Sequence, residues 1–152
     1  MIRVLFVCLG NICRSPMAEA IMRDLVEKEG LSEKISVDSA GTGSWHIGEP
    51  PHQGTLKKLA EYNISTKGLV ARQFSKKDFD EYDYIVGMDE SNIRNISRMT
   101  GLPGDPKVIR LLDLTDAKKD VPDPYYTGDF QETYDLVSEG CKVLLEKIKK
   151  EM

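Results

Sequence analysis

The N-terminal segment indicates the chain's architecture more clearly than any other stretch. Ile2–Val7 is a continuous apolar run apart from Arg3, which is typical of a strand buried on both faces of a parallel sheet. After a short loop, Pro16–Glu29 places apolar residues at four-residue steps, the pattern of an amphipathic helix, and Gly30 is a natural stop for it. The segment therefore predicts a strand, a loop and a helix, the repeating unit of an α/β fold.

The remaining sequence continues this alternation of short apolar runs and segments with helical spacing. Strands are predicted at Ile35–Ser39, Gly68–Val70 and Tyr84–Met88, and helices around Leu56–Ala60, Ser75–Glu81, Ile93–Met99 and Phe130–Ile148. Val108–Leu112 fits no single pattern, and the proline-containing Leu112–Thr127 is predicted to be an ordered loop rather than an element. With 152 residues, the chain is expected to form a single domain, residues 1–152, since about 100–200 residues make one domain.

Charge and cysteine content argue against several classes of function. The net charge is −4 and the isoelectric point is near 5.3, so attraction to nucleic acid or to an anionic membrane is not expected. Nothing approaches the roughly 18 consecutive apolar residues of a transmembrane helix, and the N-terminus lacks the pattern of a secretion signal. The three cysteines, at positions 8, 13 and 141, are odd in number and show no zinc-binding spacing. We therefore expect a cytoplasmic protein with reduced thiols and without a metal.

The loop at residues 8–15, with the sequence CLGNICRS, has the composition of an oxyanion site. A loop that leads into a helix N-terminus directs several backbone N–H groups inward, where the helix dipole adds positive potential. Gly10 allows a left-handed backbone and a close approach to a ligand. Arg14 brings a planar guanidinium that holds two oxygens of a phosphoryl group. These features predict that the loop binds a phosphate ester or a similar anion.

Cys8 lies at the mouth of the same loop, where the positive potential stabilises a thiolate. We therefore predict that Cys8 is a nucleophile, with Ser15 as a hydrogen-bond donor to its sulfur and Asn11 as a support for the loop. Cleavage of an ester also needs an acid that protonates the leaving oxygen. Asp123 is the candidate, since prolines on both sides restrict its backbone and Tyr125 follows it in the segment PDPYY. The alternative for Asp123 is a turn aspartate before proline.

The loop and the late acidic segment closely resemble the signature sequences of the low-molecular-weight protein tyrosine phosphatases. Further motifs match that family in the same order, so the resemblance spans essentially the whole chain. The matching motifs are VCLGNICRSPMAE at residues 7–19, DSAGT at 38–42, ARQ at 71–73, MDESN at 88–92 and DPYY at 123–126. The resemblance implies a three-layer α/β/α fold with a four-stranded parallel sheet and a site at the carboxyl edge of the first strand.

The resemblance also implies a role for each matching residue. Cys8 becomes the nucleophile that forms a phosphocysteine, Arg14 the phosphoryl clamp, and Asp123 the acid that later activates water. The other implied residues are the phosphate-binding Leu9, Gly10, Asn11, Ile12, Cys13 and Ser15, the supporting Ser39, and the aromatic pocket walls Trp45 and Tyr125. The implied reaction is hydrolysis of phosphotyrosine in proteins and of small aryl phosphates, without a cofactor. Inorganic phosphate is its product and inhibitor, and the implied state is a monomer or a weak homodimer.

Two of these positions have alternatives. By resemblance, Cys13 matches a second family cysteine that forms a reversible disulfide with Cys8 and so protects it from irreversible oxidation; simple packing is the alternative. For Trp45 the alternative is an anchor of its loop in the core. Some members of the family also carry a histidine just before the motif ARQ, where this chain has Leu69 and Val70. The support of the loop is therefore expected to differ.

Three other activities fit parts of the pattern. Arginine phosphatases resemble the chain closely, but they carry a threonine where Ile12 stands, and the larger apolar side chain favours a flat aromatic ester. Arsenate reductases of this fold need extra cysteines on a mobile segment, and the chain offers only Cys13 and Cys141. A catalytically silent phosphotyrosine binder needs neither Cys8 nor Asp123, and both are present. Hydrolysis of phosphotyrosine is therefore the favoured activity.

Overall fold

The computed structural model describes residues 1–152 and contains a four-stranded parallel sheet with helices on both faces. The strands are β1 (Ile2–Cys8), β2 (Ile35–Gly41), β3 (Tyr84–Gly87) and β4 (Val108–Arg110). The helices are α1 (Arg14–Lys28), α2 (Gln53–Glu61), α3 (Lys76–Glu81), α4 (Glu90–Thr100), α5 (Pro124–Thr127) and α6 (Phe130–Glu151), with a 3₁₀ turn at Leu111–Leu114. The strand order is β2-β1-β3-β4, and the expected three-layer α/β/α fold is confirmed.

β1 is a central strand because its side chains are apolar on both faces. Val4 and Phe6 belong to a buried cluster shared with α1 and α6, whereas Leu5 and Val7 belong to a second cluster shared with α3 and α4. All four side chains are fully buried. Burial of a large apolar side chain stabilises a fold by roughly 1.5–3 kcal/mol, so β1 contributes to the core on both sides of the sheet.

The strand register brings three chain segments together at one edge of the sheet. Cys8 at the end of β1 lies opposite Gly41 of β2, and Val7 lies opposite Gly87 of β3. The loops that follow these strands therefore leave the sheet side by side. Because β2 and β3 flank β1, this edge is a switch point of the topology, where open parallel sheets form their ligand crevices.

The strand predicted at Gly68–Val70 is wrong. The segment is a turn followed by irregular chain, and Gly68 has a left-handed backbone with φ 79°. A left-handed residue cannot continue an extended strand. The β-type pairing in this region is a single bridge between Gly41 and Gln73, a few residues further on.

Short helical turns also replace part of the loop predicted at Leu112–Thr127. The 3₁₀ turn overlaps its start, directly after β4, and α5 forms its end. Asp123 caps α5 by accepting a hydrogen bond from the Tyr125 N–H at 3.1 Å, and Pro124 takes the first helical position, where its missing N–H costs nothing. A single turn is too short to show an apolar period in the sequence. Among all these helices, none has the length and apolar character needed to cross a lipid bilayer.

Candidate active site

The carbonyl groups of the loop after β1 accept hydrogen bonds from neighbouring segments. The four pairs, with the donor first, are Thr42 N–H to Cys8 and Gly43 N–H to Leu9 at 2.9 Å, His52 N–H to Ile12 at 2.7 Å, and Thr55 Oγ to Cys13 at 3.1 Å. The N–H and C=O of a peptide unit point in opposite directions, so outward carbonyls leave inward N–H groups. No protein group accepts a hydrogen bond from the N–H groups of residues 9–15. The loop therefore presents a ring of free donors, the arrangement that suits an oxyanion.

Asn11, rather than Gly10, is the left-handed residue of the loop, with φ 57°. The expectation for Gly10 was therefore wrong in this respect; asparagine tolerates this conformation because its short amide forms local hydrogen bonds. Gly41 at the end of β2 supplies the space the loop needs. A Cβ at Gly41 would lie 2.8 Å from the Leu9 carbonyl oxygen and 3.1 Å from the Asn11 nitrogen. The last residue of β2 consequently has to be glycine for the loop to pack against it.

The Asn11 side chain fixes the direction of the hydrogen bonds behind the nucleophile. Its Oδ1 accepts from the Arg72 N–H at 3.0 Å. Its Nδ2 therefore carries the two hydrogens, which go to Ser15 Oγ at 2.8 Å and Ser39 Oγ at 2.9 Å. Each hydroxyl accepts one bond and has its own hydrogen to donate elsewhere. Ser15 Oγ lies 3.0 Å from Cys8 Sγ, so its hydrogen is available for donation to a thiolate at that sulfur.

A buried carboxyl group ends this hydrogen-bond network. Ser39 Oγ donates to Glu19 Oε1 at 2.6 Å, and Arg23 is the cation that pairs with Glu19, at 3.6 Å. Burial raises the pKa of Glu19 to about 7; the hydrogen bond from Ser39 and the charges of Arg23 and Arg72 oppose the rise, and nearby Asp38 adds to it. The outermost acceptor of the network is thus a group that changes charge near neutral pH.

Arg14 is buried and held along one edge of its guanidinium. Nη1 donates to Asp89 Oδ2 at 2.7 Å and to the Val121 carbonyl at 2.9 Å, and Nη2 lies 3.4 Å from Asp123 Oδ2. Nε is buried without a hydrogen-bond partner. The Nε–Nη2 edge therefore remains for two oxygens of a phosphoryl group. Burial lowers the pKa of Arg14, but the neighbouring Cys8, Asp89 and Asp123 together raise it above its usual value.

These groups line one cleft of about 270 Å³. Besides loop residues, Arg14 and Asp123, its walls are Trp45, His46, Tyr125 and Tyr126. Trp45 is 68% exposed, so the alternative that it anchors its loop in the core is not what the structure shows. Aromatic faces bind flat apolar groups. An anion-binding base with aromatic walls has the shape and chemistry for an aryl phosphate.

The whole chain matches known proteins of one group. Residues 3–152 match the family model described as low molecular weight phosphotyrosine protein phosphatase. The chain belongs to this family. It is similar to the low molecular weight protein-tyrosine-phosphatase YfkJ of Bacillus subtilis, at 55% identity over 99% of this chain and 98% of YfkJ. It is also similar to PtpA of Staphylococcus epidermidis, a low molecular weight protein-tyrosine-phosphatase, at 47% identity over 99% of this chain and 96% of PtpA.

Solved structures give the same grouping. The crystal structure of YfkJ from Bacillus subtilis matches with a TM-score of 0.97 at 55% identity, over 99% of this chain and 96% of that chain. A crystal structure of a Drosophila arginine phosphatase matches with a TM-score of 0.86 at 36% identity, over 96% of this chain and 97% of that chain. That protein shares the fold of this chain and is named as a phosphatase of arginine rather than of tyrosine.

The structure brings together the residues that the phosphatase family motifs single out. Cys8, Arg14 and Asp123 line one cleft, and Ser39 lies behind the loop. Leu69 and Val70 precede the motif ARQ in this chain, and Ser39 hydrogen-bonds directly to the carboxyl group of Glu19. The expected difference in loop support from other members of the family stays a prediction.

Sequence reasoning missed several contributors to this phosphatase-family site, among them Asp89, Glu19 and Thr55. Asp89 belongs to the motif MDESN, but no contact with Arg14 was predicted for it. It caps α4, accepting from the Asn92 N–H at 2.8 Å, but its second oxygen holds Arg14. Its position directly after β3, at the carboxyl edge of the sheet, was the available signal. Glu19 and Thr55 contact the site from helices. Glu19 ends the motif at residues 7–19 but was given no role, and nothing in a single sequence marks Thr55.

The two remaining thiols are both buried. Burial, with the nearby Cys8 and Asp123, raises the pKa of Cys13 to about 12, against the effect of Arg14. Burial also raises the pKa of Cys141, whose Sγ faces the Ala18 carbonyl at 3.8 Å in the core. No group of three or more His, Cys, Asp or Glu side chains in residues 1–152 could hold a metal ion.

Proposed function

We propose that this protein is a protein tyrosine phosphatase that hydrolyses phosphotyrosine and small aryl phosphates through a phosphocysteine intermediate. The observation that carries the proposal is that Cys8, Arg14 and Asp123 line a single cleft with aromatic walls. Family membership supports it, as do the names of YfkJ and PtpA, both protein-tyrosine-phosphatases.

The first chemical step transfers the phosphoryl group to sulfur. The three phosphoryl oxygens accept hydrogen bonds from the loop N–H groups, and the Nε–Nη2 edge of Arg14 binds two of these oxygens. The Cys8 thiolate attacks phosphorus in line with the leaving oxygen, so the P–S bond forms as the P–O bond to the aryl group breaks. Asp123, in its protonated form, donates its proton to that oxygen and is left as a carboxylate.

The second step returns the enzyme to its starting state. The Asp123 carboxylate takes a proton from a water molecule, whose oxygen attacks phosphorus as the P–S bond breaks. The Ser15 hydroxyl lies 3.0 Å from Cys8 Sγ, and it stabilises the departing thiolate by donating its hydrogen to it. The product, inorganic phosphate, fits the same loop and is therefore a competitive inhibitor.

Residues 1–152 act as one domain in this proposal. α1 and α6 pack together and share a buried cluster that includes Met17 and Leu144. All side chains invoked for the reaction come from one chain, so a monomer has a complete site, and a weak homodimer would not change it.

Arginine phosphatase activity is the second candidate, because the Drosophila arginine phosphatase resembles this chain in structure. Ile12 lines the cleft and offers an apolar surface without a hydroxyl, which favours an aryl group. Arsenate reduction is not supported, because Cys141 lies in the core of α6 against α1, away from the loop. Cys13 remains our proposed partner of Cys8 in a protective disulfide.

The experiment compares the native chain with Cys8→Ser and Asp123→Ala on aryl phosphates and on phosphoarginine. We expect no turnover by Cys8→Ser. Asp123→Ala should lose about 10²–10⁴-fold in kcat on an ester with a poor leaving group, and less on an ester with a good one. Native activity in Cys8→Ser would overturn the mechanism. Faster hydrolysis of phosphoarginine than of aryl phosphate would favour the second candidate.

A further inference from the structure

Two arginines on α4 differ from all the others in the chain. The arginines with a carboxylate within 4.0 Å are Arg3, Arg14, Arg23, Arg72 and Arg110. Arg94 and Arg98 have no such partner and are exposed. Because they are four residues apart, they lie on one face of α4. In a chain with 25 acidic residues against 21 basic ones, this unpaired positive pair is available to an anion from outside the chain.

Arg98 also lines a second cleft, of about 250 Å³, beside the active site. We name it the α4 cleft; its lining residues are Thr42 and Gly43 after β2, Asn95, Arg98 and Met99 on α4, and Leu9 and Trp45. The last two also line the active-site cleft, so Trp45 forms a wall common to both. No acidic side chain lines the α4 cleft.

The α4 cleft offers hydrogen-bond donors that the protein does not use. The Arg98 guanidinium donates one hydrogen bond, to Asn95 Oδ1 at 3.1 Å. Most of the guanidinium N–H groups therefore remain free. Trp45 and Met99 add apolar surface that is exposed to solvent. Free donors beside apolar surface suit a carboxylate on a short aliphatic stem.

A role in the helix alone accounts for only part of this arrangement. Arg98 lies in the last turn of α4, where a cation interacts favourably with the helix dipole. Arg94 lies one turn earlier and gains little from that interaction.

We propose that the α4 cleft is a specificity subsite that receives an acidic side chain next to the phosphotyrosine of a protein substrate. Arg98 is its charge partner, and Arg94 strengthens the attraction. This inference rests on the proposed phosphatase function. It fits the distances involved, since neighbouring peptide residues are about 3.8 Å apart and one side chain, Trp45, separates the two clefts. The arginines thus act in binding and are not catalytic residues.

The test uses two synthetic phosphotyrosine peptides that differ only in having glutamates or glutamines on both sides of the phosphotyrosine. The readout is the ratio of kcat/KM for the two peptides, in which any general change in activity cancels. We expect the native chain to prefer the glutamate peptide by about tenfold, the size of one good charge-assisted hydrogen bond. The preference should shrink at high salt, which screens exposed charges.

Three variants locate the preference. Arg98→Gln should bring the ratio close to one, and Arg98→Glu should invert it. Lys142→Gln removes the same charge from an exposed position on α6 and should keep the native ratio. Thermal unfolding of each variant verifies that it is folded.

The outcomes separate this inference from the proposed function. Equal kcat/KM for both peptides in the native chain, or an undiminished preference in folded Arg98→Gln, would overturn the subsite. Failure of the native chain to hydrolyse either peptide or a small aryl phosphate would instead overturn the phosphatase function itself.

Discussion

Replacement of Glu19 by glutamine tests whether the buried carboxyl group behind the loop changes its charge near neutral pH. Because burial raises the pKa of Glu19 to about 7 from an ordinary 4.5, the folded chain binds a proton that the unfolded chain releases between these pH values. The free energy of unfolding therefore falls as pH rises through this window, and it falls no further above it. Glutamine keeps an oxygen that accepts a hydrogen bond from Ser39, but it does not titrate. The free energy of unfolding of the variant therefore lacks this fall with pH.

The size of the effect follows from the pKa shift. One pKa unit corresponds to about 1.4 kcal/mol, so a rise from 4.5 to about 7 costs the folded chain about 3 kcal/mol above neutral pH. About 2–3 kcal/mol of that cost appears between pH 5 and pH 8. Because the Glu19 side chain is only 9% exposed, solvent screening reduces this energetic cost very little.

Urea unfolding of both chains at several pH values from 5 to 8 measures this difference. The stability of Glu19→Gln relative to the native chain should increase by about 2–3 kcal/mol over that range. Glu139→Gln, at an exposed position on α6, is the matched control; its difference from the native chain should stay flat. A flat difference for Glu19→Gln, or one that declines as pH rises, would refute the reasoning.

Three further predictions concern the site and the core. Asp89→Ala removes the cap of α4, at a cost of about 1 kcal/mol in unfolding free energy, and it also removes one anchor of Arg14. The kcat/KM for an aryl phosphate should therefore fall at least about tenfold; an unchanged value would contradict the anchoring role. Cys13→Ser should recover less activity with thiol after peroxide treatment than the native chain, and equal recovery would exclude a disulfide with Cys8. Gly140→Ala places a Cβ 2.5 Å from Leu111 Cγ and should lower the free energy of unfolding, measured in urea, by about 1–3 kcal/mol. An unchanged free energy of unfolding would show that α6 moves away from Leu111 without cost.

The regular part of the fold was predictable because its physics is local. The apolar run at Ile2–Val7 and the helical period after Pro16 are properties of adjacent residues, and the strand and helix lie where these patterns place them. The segment at Gly68–Val70 has a short apolar pattern too, but the left-handed backbone of Gly68 turns the chain. α5 depends on a cap and a proline rather than on a period, so hydrophobic patterning missed it.

The site was predictable to the extent that its residues are contiguous. Cys8 and Arg14 share one loop, and the motif around Asp123 identified the proposed acid. Contacts across long sequence separations were not predictable: Asp89 meets Arg14 from 75 residues away. Burial of Glu19 likewise depends on packing between α1 and β2, which a single sequence does not reveal. The sequence therefore pointed to three side chains that share one cleft, but not to all the side chains that hold them in place.

Direct detection of the phosphocysteine tests the central claim. Asp123→Ala slows hydrolysis of this intermediate because it lacks the base that activates water, so the variant is mixed with an aryl phosphate, quenched in acid and digested for mass spectrometry. We predict the added mass of one phosphoryl group on the peptide that contains Cys8, and none in the double variant Cys8→Ser, Asp123→Ala. A phosphoryl group on another residue, such as His46, or turnover without any phosphorylated peptide, would contradict the account.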